Sequence, residues 1–253
     1  LRQVSAPPRS HHRRNPRAVE GYTFERLCMG SYSVPCFYMA LFNPGYYNHL
    51  TYWTLLGHGV YYTVDKASPK AASVARVLHG MSFCGAWAVM VGYTFISVTG
   101  GIHWGGWLQW ENAVGRNAGT VTGERGFTEC FLQKFYEHYW PIAAAALDVQ
   151  YSRGELTRIY AGCSPSKMLL LGMGAYFAVG LIWEGTCAAN QGNVLTVYQQ
   201  GPAMSSTYLM GLLGVKDHGL KEDFVFVTTQ KVLLISCAAF VYMRSVAPLM
   251  AGG

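Results

Sequence analysis

Residues 131–149 read FLQKFYEHYWPIAAAALDV, an apolar run interrupted by His138, Pro141 and Asp148. Its aliphatic half and length fit a buried helix, but the three interruptions are more than a soluble core needs. His138 and Asp148 are ten residues apart, which on a helix is about 15 Å along the axis. They cannot touch each other. Each must therefore find a partner on another helix or in water, because an unpaired polar group in apolar surroundings is costly.

The composition places this run in a membrane. Of 253 residues, 51% are hydrophobic and 13% are charged, where a soluble domain has about 25% charged residues. Six segments are candidate spans: 27–43, 48–64, 77–99, 131–148, 168–187 and 224–243. The third contains GMSFCGAWAVMVGYTFISV at 80–98 and is apolar enough to cross a bilayer unaided. The first, second and fourth are short and carry Pro35, His58, His138 and Pro141, and the sixth carries Lys231, which must snorkel or face protein. The expected fold is an all-α polytopic membrane bundle of about six helices. A basic arm at 1–26 precedes a membrane domain at 27–248 with long loops at 100–130 and 188–223, and a short tail occupies 249–253.

The charges sort by side on this assignment. The arm, the loops at 65–76 and 149–167 and the tail hold 13 of the 19 Lys and Arg, whereas the opposite loops hold Arg116, Arg125, Lys216 and Lys221. Such a bias puts both termini on the cytosolic or matrix side. The arm has six arginines and only Glu20 and Glu25 as acids, and the chain begins at Leu1. This composition is that of an organellar import segment.

Several chemistries lack support. The basic residues form no stripe interleaved with aromatics, so nucleic acid is not an expected partner. Seven cysteines show no CxxC spacing and read as free thiols, with no metal site implied. GxSxG, HExxH and phosphate-loop patterns are absent from the sequence. Trp104, Trp107 and Trp110 read equally as an interfacial belt or as a cluster packed on the protein's own surface. Glu184 reads as an interfacial or bundle-facing carboxylate, and Gly172, Gly174 and Gly180 as a small-residue stripe for close helix packing.

The second segment, HLTYWTLLGHGVYYTV at 49–64, places Thr51, Leu55, His58 and Tyr62 on one helical face. Three readings stay open on these residues. Thr51 is a nucleophile activated by His138; or His58 and His138 ligate a haem between helices; or Thr51 bonds its own backbone and the histidines are ordinary polar contacts.

In order, spacing and residue type, LTYWTLLGHGVYY (50–62), the strong third span, EHYWPIAAAALD (137–148) and LIWEGTCAANQGNVLTVY (181–198) resemble the androgen-induced family of six-span membrane proteins. The resemblance covers about 48–198. It implies an intramembrane threonine hydrolase of fatty-acid esters of hydroxy fatty acids, with Thr51 as nucleophile, His138 as base, and Asp148 in the family's acidic position. His58 is a supporting residue, and no cofactor is implied beyond bound phospholipid. Phe135, Tyr139 and Trp140 stand where that family has a histidine and hydroxyl residues.

Two functions are therefore expected. The first is an accessory subunit of a mitochondrial inner-membrane respiratory-chain or ATP synthase complex, holding lipid and meeting other subunits through 1–26 and 188–223. Spans broken by Thr, His, Gly and Lys suit faces that meet protein. The alternative is the Thr51/His138 lipid-ester hydrolase, in that membrane, the endoplasmic reticulum or the plasma membrane.

Overall fold

The computed structural model describes residues 27–28, 31–32, 49–64, 66, 68, 70–103, 105–117, 120–191 and 236–251. The basic arm, most of the first candidate span, Trp104, residues 192–223 of the second long loop and Lys231 lie outside the described residues, as does the side chain of Glu184. The described residues are helical and include no strand. In chain order the helices are α1 (Leu50–Thr63), α2 (Ala72–His103), α3 (Trp107–Asn117), α4 (Phe127–Lys134), α5 (Trp140–Tyr151), α6 (Arg153–Tyr160), α7 (Pro165–Gln191) and α8 (Ala247–Ala251). A π turn, Phe135–Tyr139, joins α4 to α5, and residues 236–245 are also helical.

The axis of the bundle is α2, whose 32 residues extend about 48 Å. It packs against α1, α3, α5, α6 and α7. Two described helices are long and apolar enough to cross a membrane, over Ala72–Phe95 in α2 and Pro165–Ile182 in α7. By contrast α1 has 14 residues, about 21 Å of helix against a hydrocarbon core of about 30 Å. The segments read as loops are also partly helical. Residues 100–130 contain α3, and 149–167 contain α6. The reason is packing: Trp110, Ala113 and Val114 on α3 and Leu156, Ile159 and Tyr160 on α6 are buried, at the i, i+3, i+4 spacing that makes a helix amphipathic.

The two membrane-length helices meet at glycines. A methyl group on Gly172 would fall 2.7 Å from the Gly80 carbonyl carbon, so the backbones of α2 and α7 approach within the space a side chain would need. Gly174 and Gly180 have no neighbour within 4 Å of that position. Of the stripe expected from sequence, Gly172 is at the crossing and the other two face away from it.

Two aromatic-rich cores flank α2. One joins Leu55, Tyr61 and Tyr62 of α1 to Ala144 of α5, with Cys28 and Tyr32. The other joins Phe83 of α2 to Tyr160 of α6 and to Tyr242 and Val246. The outer face of α7 leaves Leu170, Phe177, Leu181 and Ile182 at least half exposed. An apolar face of that extent is suited to lipid or to another protein rather than to water.

Replacing Gly172 by alanine is expected to destabilise the fold by about 1–3 kcal/mol, because two backbones must separate. Gly174→Ala is expected to be neutral or to stabilise by up to about 1 kcal/mol. Thermal midpoints of the two variants in detergent check the contrast.

Candidate functional site

The π turn has a local cause. Pro141 has no N–H, and in a continuous helix its ring would collide with the carbonyl four residues back, that of Glu137. Just before it the chain widens, and the Trp140 N–H bonds to the Phe135 carbonyl, five residues away. The wider turn carries two consecutive buried polar residues, Glu137 and His138.

His138 reaches α1. Its Nε2 is 3.2 Å from Thr51 Oγ1, and its Nδ1 is 3.0 Å from the Lys134 carbonyl oxygen. A carbonyl can only accept, so Nδ1 carries the proton and donates. Nε2 is then bare and accepts the Thr51 hydroxyl proton. This is the tautomer a general base requires. The Tyr93 ring of α2 lies on the imidazole with centroids 3.6 Å apart and planes 17° from parallel. That stacking fixes the plane of the ring while the Lys134 bond fixes its rotation.

Around this pair lies a network of buried charge that the sequence reading did not single out. The Tyr52 hydroxyl, one residue from Thr51, donates to Glu137 Oε1, which also accepts from Gln133 Nε2 at 2.7 Å. Lys134 Nζ donates to Glu137 Oε2 at 2.9 Å and lies 3.4 Å from Glu111 Oε2. Tyr93 donates to Glu111 Oε1 at 2.6 Å and accepts from Trp107 Nε1 at 3.0 Å. Arg125 closes the end of the bundle, donating to the Glu111 carbonyl, to Gln133 Oε1 and to Asn112 Oδ1. One signal was available in the sequence: Lys134 and Glu137 are three residues apart, the spacing at which helical side chains meet.

Asp148 belongs to a different place. Its carboxylate accepts from the Tyr61 hydroxyl of α1 at 2.5 Å and from Ser152 Oγ at 2.6 Å, and His79 Nε2 of α2 is 4.0 Å away. His79 Nδ1 is in turn 2.7 Å from the Tyr160 hydroxyl. Burial, with Tyr242 as the next contributor, pushes the Tyr160 phenol well above its ordinary value, so it remains a hydrogen-bonding group. His79 and Tyr93 are 14 residues apart on α2, about 21 Å, and this separates the two clusters.

His58 is wholly buried, with its ring centroid 5.3 Å from that of Tyr32, and it takes no part in the Thr51 pair. Haem ligation by His58 and His138 does not fit this arrangement, since both nitrogens of His138 are engaged. No group of histidine, cysteine and carboxylate side chains suited to a metal occurs among the described residues. Trp107 and Trp110 pack on the protein itself, Trp107 through Tyr93 and Trp110 by burial. Phe135 is half exposed and stacks along Phe131 and Tyr139, and Trp140 Nε1 donates to Ser31 Oγ, so neither ring intervenes between Thr51 and His138. An open groove lined by Ser97, Val98, Gly101, Ile102 and Trp107 lies at the end of α2.

Comparison of the chain with family models, with curated proteins and with solved structures returned no match.

Asp148→Ala is expected to lower stability by about 2–4 kcal/mol, because the Tyr61 and Ser152 hydroxyls and His79 lose a buried carboxylate partner. A chemical or thermal denaturation series in detergent measures it. Accessibility of the Thr51 end, about 15 Å away, is expected to be unchanged in the folded fraction.

Proposed function

We propose that the chain is an intramembrane lipid-ester hydrolase with Thr51 as nucleophile and His138 as general base. The observation that carries this reading is the 3.2 Å contact between Thr51 Oγ1 and His138 Nε2, with the opposite ring nitrogen held by the Lys134 carbonyl. A threonine hydroxyl is a weak nucleophile unless a base is in hydrogen-bond reach, and here one is. Thr51 Oγ attacks the ester carbonyl carbon as its proton passes to Nε2. Collapse of the tetrahedral intermediate expels the alcohol, which takes that proton from the imidazolium. Water, activated by the same nitrogen, then releases the acid and restores Thr51.

The position of Thr51 supplies the remaining requirement. It is the second residue of α1, at the helix N-terminus, where the helix dipole favours negative charge. In the proposed reaction that positive end of α1 stabilises the oxyanion. A fatty ester suits the apolar surroundings, and the family resembled by residues 48–198 acts on that class of substrate. The full reading has six spans with both termini on the matrix or cytosolic side, in the mitochondrial inner membrane.

A second reading has one observation in its favour, the exposed apolar face of α7 at Leu170, Phe177 and Leu181. In it the chain is an accessory subunit of a respiratory-chain or ATP synthase complex, and that face meets other subunits or retained phospholipid. Migration of the native chain with a large inner-membrane complex would support it, whatever the state of Thr51.

A fluorophosphonate probe applied to the full chain in native membranes is expected to label it, and Thr51→Ala is expected to abolish the label. His138→Ala is expected to slow labelling by about 100-fold or more, the range for loss of a general base. Absence of label on the folded wild-type chain would remove the hydrolase reading and leave the subunit reading.

A further inference from the structure

The acidic residue facing the imidazole is not the one the spacing to Asp148 implies. Glu137 Oε2 lies 4.0 Å from His138 Nδ1, whereas Asp148 is bonded to Tyr61 and Ser152 in the other cluster. The two oxygens of Glu137 are differently used. Oε1 is held by Tyr52 and Gln133, and Oε2 faces both Lys134 Nζ and the imidazole.

We infer that Glu137 is a positioning residue for the hydrolysis proposed above: its buried carboxylate stabilises the imidazolium formed when His138 takes the Thr51 proton. The inference rests on that hydrolase reading. Its physical basis is the charge arrangement. Lys134 lies between two carboxylates, 2.9 Å from Glu137 and 3.4 Å from Glu111, so these three side chains sum to one negative charge. Protonation of His138 brings the sum to zero. The Arg125 guanidinium is directed instead at Asn112, Gln133 and the Glu111 carbonyl. In a buried site a charge of this kind acts with little screening, and it is in place before the proton moves.

Glu137 also positions the pair mechanically. Tyr52–Glu137 and Thr51–His138 are adjacent links between α1 and the π turn. Lys134, held by Glu137, is the residue whose carbonyl orients the His138 ring. Losing the carboxylate therefore weakens both the stabilisation of the imidazolium and the register of nucleophile against base.

The test uses the purified full chain in detergent and a long-chain p-nitrophenyl ester as probe, with kcat and KM measured separately. Glu137→Gln is expected to lower kcat roughly 100-fold, the lower end of the range for loss of one electrostatic contact to the transition state, with KM changed less than about 2-fold. Glu137→Asp, which keeps the charge on a shorter arm, is expected to recover part of the loss. Wild-type kcat in folded Glu137→Gln, or a change confined to KM, overturns the inference and leaves the hydrolase reading standing. If Glu137→Gln does not fold, Glu137→Asp decides: a lowered kcat at constant KM supports the role and a wild-type kcat overturns it. A folded wild-type chain with neither turnover nor Thr51-dependent labelling overturns both.

Discussion

A single missing hydrogen-bond donor, the absent N–H of Pro141, shapes the site. Because Pro141 cannot bond to the Glu137 carbonyl, the chain opens into the π turn Phe135–Tyr139. In an unbroken helix two successive residues point about 100° apart, and only one of them would face the interior fully. Here Glu137 and His138 are both buried. The proline that looks like an interruption of an apolar segment is thus what lets a carboxylate and an imidazole enter the bundle together.

The polar groups of the bundle form two groups rather than one, and both tie α1 to the α4–α5 segment. Toward one end of α2, Thr51 and Tyr52 meet His138 and Glu137. Toward the other, Tyr61 meets Asp148. Each link joins a residue of α1 to one 85 to 87 positions away, so two helices distant in sequence are registered at both ends. A slip by one residue would break all three contacts and bury unpaired carboxylates, which is much more costly than losing apolar contact alone.

Between these ends the bundle is held by close approach of backbone. Gly80 and Gly172 allow α2 and α7 to cross at a distance no other residue pair would permit. The 18-residue apolar window of α7 is 22% buried, against 61% for that of α2, so α2 is sheltered by protein while α7 presents Leu170, Leu171, Phe177 and Leu181 outward. Helices α1 and α5, with 14 and 12 residues, are shorter than the roughly 30 Å hydrocarbon core of a bilayer requires, and are joined to each other through Tyr61 and Asp148.

The sequence by itself determined that the fold is helical, that α2 and α7 are membrane-length apolar helices, and that His138 and Asp148 need separate partners. These follow from local quantities: periodicity, run length and the rise per residue of a helix. Among the described residues two helices are of membrane length, and most of the candidate spans 27–43 and 224–243 lies outside the described residues. Only tertiary structure decided which partners were found. It set Thr51 against His138, sent Asp148 to Tyr61 and Ser152, and left His58 beside Tyr32. It also drew Glu111, Lys134 and Glu137 together in the interior, three charges that the sequence did not single out. Charge type and spacing are written along the chain, but which interior partner a charge or a hydroxyl meets depends on helices 23 to 87 residues away in sequence, and no local pattern encodes that.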